Sequence, residues 1–376
     1  MRHDLAATAD RASRNAALVL GLTLPGDTVL YLLLPLHAAA FGVTLAEAGL
    51  LLAANRLVRI VGYGWVARGY RRHGPRIACI AAVFGAAAAA LGYALTPGLW
   101  WLLAARLVWG LSFAAMNIAT QALATALAVG AARRSGQSRA IISTGPMVGL
   151  LGAAVLAEQI GPHTVFLLLA GIALLALPVA LLLPGGAGEQ VHAPGPRFAL
   201  PARLDVWSFV QGLTLDGLFV LGLAVLASRA MPDGAALAAG AALALRYAAE
   251  IVLGPPGGAL AERLGARRLL VWLSVASAGG LAAMGVGWLW SGAVAVVLLR
   301  GLLQPLPAPV VAAEHPGPGR VAALARLATW RDIGAGLGPL AAGVLLPLVP
   351  AAPLYGGAAL LLTASALALL RSAPAP

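Results

Sequence analysis

Ten ionisable residues lie inside long apolar stretches of this 376-residue chain. They are Asp27, Arg56, Arg59, Arg106, Asp216, Arg246, Glu250, Arg300, Arg331 and Asp332. A charge is costly in apolar surroundings, so each of these groups must face protein or water and is a candidate for function. Guanidinium groups bind carboxylates and phosphates, and a carboxylate in a low-dielectric site can take up a proton. These residue types therefore favour anion binding and proton exchange.

Two of the arginines share a helix face. Arg56 and Arg59 are three residues apart, so a helix places them side by side. They are predicted either to bind an anion together or to form ion pairs with Asp27 and Asp216.

Other charged residues have close neighbours of opposite sign. Arg246 and Glu250, four residues apart, can neutralise each other, and so can the adjacent Arg331 and Asp332. Even after full internal pairing a positive excess remains, because the ten residues comprise six Arg and four acids. This excess favours an anionic ligand over a cationic one.

Proton exchange needs a carboxylate whose pKa is raised by burial. Asp27 is the first candidate and Glu250 the second. The alternative for each carboxylate is a permanently ionised salt bridge.

The composition indicates which solvent surrounds these residues. The chain is 61% hydrophobic and 10% charged, with a mean hydropathy of +0.90, which is more apolar surface than a water-soluble core can bury. The formal charge of +12 would suggest nucleic acid, but every basic residue is Arg and these lie in short clusters between apolar runs. We therefore expect a lipid bilayer and no nucleic acid as partner.

Apolar runs of about 20 residues predict membrane-spanning helices. Twelve such spans are predicted, starting near Asn15, Leu45, Pro75, Leu99, Arg139, His163, Asp205, Gly234, Arg268, Ser291, Arg320 and Ala352. Span ten contains three prolines and span eleven begins with charged turns, so both are predicted to be broken helices. The predicted fold class is all-α integral membrane.

Arginine placement predicts the topology. The loops on one side carry nearly all of the arginines between spans, and the other side carries only Arg229. By the positive-inside rule, both termini are predicted to be cytoplasmic, in a cell inner membrane. The start of the chain lacks the features of a cleavable signal peptide, so span one is expected to remain as a helix.

The chain divides into two similar halves. Residues 184–204 have a Gly- and Pro-rich linker composition, which predicts six-helix bundles over 1–183 and 205–376. Leu22-Thr-Leu-Pro-Gly-Asp27 is echoed by Leu213-Thr-Leu-Asp216-Gly217, and Arg106 of span four by Arg300 of span ten. Internal duplication of this kind is typical of transporters.

The loop after span eight carries the most specific motif, Gly-Ala-Leu-Ala-Glu-Arg-Leu-Gly-Ala-Arg-Arg. It resembles the major facilitator superfamily, whose loops after the second and eighth helices have a Gly, an acid, an Arg and a basic pair at this spacing. The resemblance implies a latch that holds in one conformation and breaks in another, and the alternative is simple topogenic charge. Its residues are Gly258, Glu262, Arg263, Gly265, Arg267 and Arg268.

Three further stretches bear on the resemblance. The loop after span two departs from the family pattern, with Arg68 where an acid is expected. Arg106 and the following Gly110 are similar to the family's fourth-helix motif. Gly145-Pro146 with Gly149 is similar to a motif of exporters in the family, the alternative being ordinary small-residue packing.

The resemblance and the charges together predict a secondary active transporter. The prediction is proton-coupled export, by alternating access, of a small anionic or carboxylate-bearing metabolite, with a siderophore as one example. The predicted substrate-binding residues are Arg56, Arg59, Arg106, Asp216, Arg246 and Arg300. An importer of a sugar or organic acid is the alternative, and a non-transporting scaffold or receptor is the alternative from another class.

Enzymatic activity is not expected. The six His residues are scattered over different loops and helix ends, and no ATP-binding motif is present. The single Cys79 lies in an apolar run and offers no disulfide framework or thiolate metal site. We therefore predict no catalytic residue, no metal and no cofactor. We also expect the protein to be a monomer.

Overall fold

The computed structural model is helical, with no strand, in the residues that it describes: 2–186, 201–230 and 235–371. Most of the predicted linker, 187–200, lies outside these residues. Every predicted span corresponds to helix.

Spans one to six occupy the first half of the chain. Span one consists of helices Arg2–Thr23 and Pro25–Leu36, and spans two and three form the kinked helix Leu45–Leu95. Span four is Leu99–Ala124, span five is Ala131–Ile160, and span six consists of Pro162–Leu174 and Ala176–Leu181.

Spans seven to twelve occupy the second half. Span seven runs through Arg203–Gln211, a π-helical turn at Gly212–Leu218, and Phe219–Ala230. Spans eight and nine are Ala235–Leu264 and Ala266–Gly285, and span ten consists of Leu289–Leu303 and Pro307–Glu314. Spans eleven and twelve are Arg320–Leu345 and Ala351–Leu367.

Local sequence explains where several of these helices begin and turn. Span two begins at a capping box, in which the backbone N–H of Thr44 donates to Glu47 at 2.8 Å and the Thr44 hydroxyl accepts from the Glu47 N–H at 3.3 Å. The chain reverses after span two at Gly74, with φ 80°, and after span eight at Gly265, with φ 88°. Glycine adopts this left-handed backbone without a Cβ clash.

Proline breaks two spans. Span one is interrupted at Leu24, immediately before Pro25, and span ten is interrupted before Pro307, because proline has no N–H to donate to the preceding turn. The predicted break in span ten is confirmed. The predicted break in span eleven is wrong, since Arg320–Leu345 is continuous and its early charges have polar partners.

Helix lengths and surfaces are those of a protein in lipid. Eight helical segments of the described chain are apolar and long enough to cross a membrane, and one of them, Leu45–Leu95, holds two spans. Large apolar side chains are exposed along the spans, as lipid contact requires. Trp100, Trp101 and Trp288 are exposed at the starts of spans four and ten, where an aromatic belt lies in membrane proteins.

Contacts divide the described chain into two compact units. The first contains 2–127, 141–186 and 317–325, and the second contains 128–140, 201–230, 235–316 and 326–371. The first unit takes most of its residues from spans one to six and the second from spans seven to twelve, and the starts of spans five and eleven are the exceptions.

Candidate functional site

The first half contains a buried carboxylate held by a buried guanidinium. Asp27 lies in the first turn of the helix that resumes after the proline break in span one, and its residue is 8% exposed. Arg106 of span four has no exposed surface and pairs with Asp27 through Nη1. Asn55 of span two donates from Nδ2 to the same oxygen, Asp27 Oδ1, at 3.1 Å.

Backbone oxygens of span two hold the rest of the guanidinium. Arg106 Nε donates to the carbonyl of Leu51 at 3.0 Å, and Nη2 donates to the carbonyl of Leu52 at 3.4 Å and the hydroxyl of Tyr31 at 3.5 Å. The Tyr31 hydroxyl also donates to Leu52 O at 3.1 Å. We call Asp27, Tyr31, Asn55 and Arg106 the first-half cluster.

Gly110 permits this close approach of spans two and four. A Cβ at Gly110 would lie 2.3 Å from Val58 Cγ1 and 3.0 Å from the carbonyl oxygen of Asn55. The Gly that follows Arg106 by four residues therefore brings span four against span two beside Asn55.

The guanidinium of Arg106 pairs with Asp27, and the sequence prediction had offered Arg56 and Arg59 as its partners. Arg59 is 7% exposed, and its guanidinium carbon lies 4.6 Å from the centre of the Phe113 ring, which is a cation–π distance. Arg56 is half-buried. The helical spacing correctly placed both on one helix.

The second half repeats the aspartate–arginine pair and enlarges it. Asp216 lies in the π-helical turn of span seven and is 7% exposed, and Arg300 of span ten is 1% exposed. Arg300 donates from Nε to Asp216 Oδ1 at 3.0 Å and from Nη1 to Glu250 Oε1 at 2.6 Å. Glu250 of span eight is 3% exposed, so one guanidinium serves two buried carboxylates.

Three further arginines surround this group. Arg331 of span eleven donates from Nε to Asp216 Oδ2 at 2.9 Å, and Arg246 Nε lies 3.6 Å from Glu250 Oε1. Arg139 of span five interacts electrostatically with Glu250, Arg331, Arg300 and Arg246. We call Arg139, Asp216, Arg246, Glu250, Arg300 and Arg331 the second-half cluster.

The predicted pair of Arg246 and Glu250 is present, and ion pairs between helices join it. Glu250 takes its shorter contact from Arg300 rather than from Arg246, and Arg331 pairs with Asp216 rather than with the adjacent Asp332. Adjacent residues on a helix point about 100° apart, which explains why Arg331 reaches another helix.

The sequence prediction missed Arg139 as a member of a charged cluster. It was assigned to a cytoplasmic loop with its neighbours Arg133 and Arg134, whereas span five already begins at Ala131. Arg139 lies two turns inside that helix. An earlier predicted start for span five would have placed Arg139 in the span and not in the loop.

Small residues let span five approach span one and span eleven approach span seven. A Cβ at Gly145 would lie 1.9 Å from the carbonyl oxygen of Gly21, and one at Gly149 would lie 2.7 Å from Pro25 Cβ. The segment Gly145-Pro146-Met-Val-Gly149 therefore packs directly on the broken part of span one. In the second half, a Cβ at Gly338 would lie 2.5 Å from the Cα of Gly217.

The motif after span eight meets the start of span five. Glu262 accepts a hydrogen bond from the backbone N–H of Arg133 at 3.1 Å, and a Cβ at Gly258 would lie 2.3 Å from the carbonyl oxygen of Ala132. A carboxylate at a helix N-terminus is favourable. This geometry can serve as a latch.

The basic residues of that motif differ in exposure. Arg267 pairs with Glu314 at the end of span ten, whereas Arg263 and Arg268 are exposed.

The first half lacks the acid of this motif. When the two turns are aligned on Gly74 and Gly265, the residue equivalent to Glu262 is Arg71. The predicted equivalence with Arg68 is therefore wrong by one helical turn.

Metal ligation finds no support in the described part of the chain, where no group of three or more His, Cys, Asp or Glu residues could hold an ion. Cys79 is buried as a free thiol.

Comparisons with known proteins agree with the helical fold. The human organic anion transporter MFSD10 (TETRAN) superposes with a TM-score of 0.80 at 17% identity, over 96% of this chain and 99% of that one. The E. coli fucose:proton symporter FucP superposes with a TM-score of 0.74 at 13% identity, over 97% of this chain and 98% of that one. No curated protein matches the sequence.

These identities establish the fold alone, the twelve-helix membrane fold. The family follows from the sequence itself, because the model of the Major Facilitator Superfamily matches residues 16–232, more than half of the chain. The chain is therefore a multi-pass membrane protein and a secondary transporter rather than an enzyme, and it belongs to the Major Facilitator Superfamily.

Proposed function

We propose that this chain exports a small anionic or carboxylate-bearing metabolite by alternating access, in exchange for protons. The observation that carries the proposal is the excess of arginine over acid in the membrane-spanning helices of both halves. The ionisable residues inside the apolar stretches comprise six Arg and four acids. A formal excess of positive charge in a low-dielectric interior favours binding of an anion.

The proposed coupling site is Asp27. Its contacts support this role, because a proton on the carboxylate would weaken the attraction of Arg106 while the carbonyls of Leu51 and Leu52 still hold that guanidinium. Protonation of Asp27 would therefore leave the Arg106 guanidinium with hydrogen-bond acceptors. Glu250 is the second candidate, since its protonation would leave Arg300 paired with Asp216.

The proposed solute contacts in the first half are Arg56 and Arg59. Both lie on span two beside the first-half cluster, and Arg56 retains exposed surface. Arg59 is already stacked on Phe113, so we assign Arg56 the larger share of the solute contact.

The location proposed for the protein is a cell inner membrane with both termini cytoplasmic, from the positive-inside distribution of arginine. In that orientation the contact between Glu262 and Arg133 lies on the cytoplasmic side. We propose that it holds in one transport conformation and breaks in the other.

Two comparisons bear on the solute. MFSD10 is an organic anion transporter, which supports the anionic proposal, and FucP is a sugar symporter, which keeps a sugar or organic acid importer as the alternative. The formal excess of arginine favours an anionic solute, because a neutral sugar adds no negative charge to balance it.

The test is proton movement in proteoliposomes that contain the full chain and an internal pH dye. Citrate, succinate, fucose and tetraphenylphosphonium are added separately, each at matched ionic strength, with empty liposomes as the control. We expect an organic anion to drive proton movement opposite to its own. Proton movement with fucose alone would favour the importer. No proton movement with any solute would favour a scaffold or receptor.

A further inference from the structure

The turn after span two concentrates positive charge without a neighbouring acid. Four arginines lie within nine residues of sequence, and they are Arg68, Arg71, Arg72 and Arg76. The flanking acids in the sequence are Glu47 and Glu158, so residues 48–157 contain no acid at all. The stretch of chain that carries these arginines therefore cannot neutralise them.

The equivalent turn of the second half is more nearly balanced. With Gly74 aligned on Gly265, the equivalent residues 259–267 contain two arginines and one acid, Glu262. One of the two arginines, Arg267, also pairs with Glu314. A strongly cationic turn is thus a feature of the first half.

The arginines of the first-half turn differ in their contacts. Arg76 donates from Nε to the carbonyl of Leu183 at 2.7 Å, and so holds the end of span six. Arg68 and Arg72 are exposed, and neither has a hydrogen bond or an ion pair with any residue that the structure describes. Their guanidiniums can therefore bind a group from outside the chain.

Arg68 and Arg72 continue the lipid-facing stripe of span two. Leu57, Val61 and Trp65 are 59%, 64% and 62% exposed. At 100° per residue, these three side chains and the two arginines fall within an arc of about 80° on one helix. A single exposed face therefore changes from apolar to cationic along the helix. Topogenic charge requires arginine in the turn, but it does not require this alignment.

The spacing along the helix matches the depth of a lipid headgroup. Exposed Trp side chains in membrane proteins lie at the headgroup level, at the edge of the hydrocarbon core. A rise of 1.5 Å per residue places Arg68 about 5 Å and Arg72 about 10 Å beyond Trp65. The headgroup layer on each side of a bilayer is about 5–8 Å thick, and long arginine side chains can bend toward it. Both guanidiniums can therefore reach lipid phosphates.

We propose that Arg68 and Arg72 bind the headgroup phosphate of an anionic phospholipid, whose acyl chains lie along Leu57, Val61 and Trp65. Planar guanidiniums bind phosphate oxygens through paired N–H donors. An anionic lipid is favoured over a zwitterionic one, because only the anionic lipid brings net negative charge to the acid-free turn. Arg71, which is half-buried in the same turn, adds to the attraction.

The second half offers a matched control. Arg263 is the residue equivalent to Arg72, and it is also exposed. It follows Glu262 directly, and Pro256 stands where the first half has Trp65. Replacing Arg263 by Gln removes the same charge from an equivalent turn that lacks the proposed site.

The experiment measures thermal unfolding of the full chain in an uncharged detergent. Phosphatidylglycerol or phosphatidylcholine with the same acyl chains is added, and apparent affinities come from the concentration dependence of the unfolding temperature. We expect Arg68→Gln and Arg72→Gln each to weaken binding of phosphatidylglycerol about fivefold, or about 1 kcal/mol. The double variant should weaken it about twentyfold and Arg263→Gln less than about twofold. Binding of phosphatidylcholine should not change in any variant.

Three results would overturn the proposal. The first is equal affinity of the wild type for the two lipids. The second is an equal loss in Arg263→Gln, which would show a general attraction of the basic surface. The third is equal stabilisation by glycerol phosphate, which has no acyl chains and would indicate a site for soluble phosphate. If the double variant does not fold, the two single variants decide, because each replaces one exposed side chain.

Discussion

The two halves of this transporter bury the same aspartate–arginine pair in different surroundings. In the first-half cluster, one carboxylate meets one guanidinium, and the remaining contacts come from Asn55, Tyr31 and backbone carbonyls. In the second-half cluster, Arg300 is shared by two carboxylates and further arginines stand around them. A single pair can be opened by one proton, whereas each carboxylate of the shared network keeps a second arginine when one contact is lost.

The largest expected difference between the halves is in stability. Arg106→Gln should lower the free energy of unfolding by about 3–5 kcal/mol, because it removes the cation that pairs with the buried Asp27. Arg300→Gln should cost on the order of 1 kcal/mol less, since Asp216 keeps Arg331 and Glu250 keeps Arg246. Thermal unfolding of both variants in the same detergent measures the difference. A greater loss in Arg300→Gln would show that the network is a unit rather than a set of replaceable contacts.

A smaller difference concerns the loops after spans two and eight. The second half has Glu262 at the N-terminus of span five, and the first half has Arg71 at the equivalent position. Glu262→Gln should weaken the contact with span five by about 0.3–1 kcal/mol. A cysteine introduced at Ala132, beside Gly258, should then react up to about fivefold faster with a water-soluble maleimide.

Two features make this measurement specific. Cys79 is buried and gives little background, and Glu158→Gln changes an exposed acid near the other end of span five. Equal maleimide reactivity of the introduced cysteine in Glu262→Gln and Glu158→Gln would contradict the proposed latch.

Sequence reasoning recovered the helices well because apolar length and Gly–Pro punctuation are local signals. Pro75 was predicted to begin span three, and the kink lies at Gly74. The break in span ten follows from its prolines. Span eleven was misjudged, because charges such as Arg331 were read as a break, although a partner on span seven lets the helix continue.

The pairing of charges was harder to predict. Spacing relates residues on one helix, such as Arg56 and Arg59, but says nothing of which helix lies opposite. Asp27 and Asp216 were recognised as repeats of each other, and so were Arg106 and Arg300. A pair of repeats suggests a repeated contact, and that signal, more than helical spacing, matches the observed bridges. The π-helical turn around Asp216 has no comparable signal in the sequence.

The central claim is that Asp27 exchanges the proton and that Arg56 contacts the anion. Its most direct test is to measure proton and anion movement together in proteoliposomes, with whichever anion drives proton movement in the wild type, for Asp27→Asn and Arg56→Gln. We expect Asp27→Asn to keep anion exchange at equal pH but lose accumulation driven by a pH gradient, because an amide cannot carry the proton. Arg56→Gln should need about tenfold more anion for half-maximal movement while keeping the wild-type ratio of protons to anions. Gradient-driven accumulation by Asp27→Asn, or a changed ratio in Arg56→Gln, would contradict this division of roles.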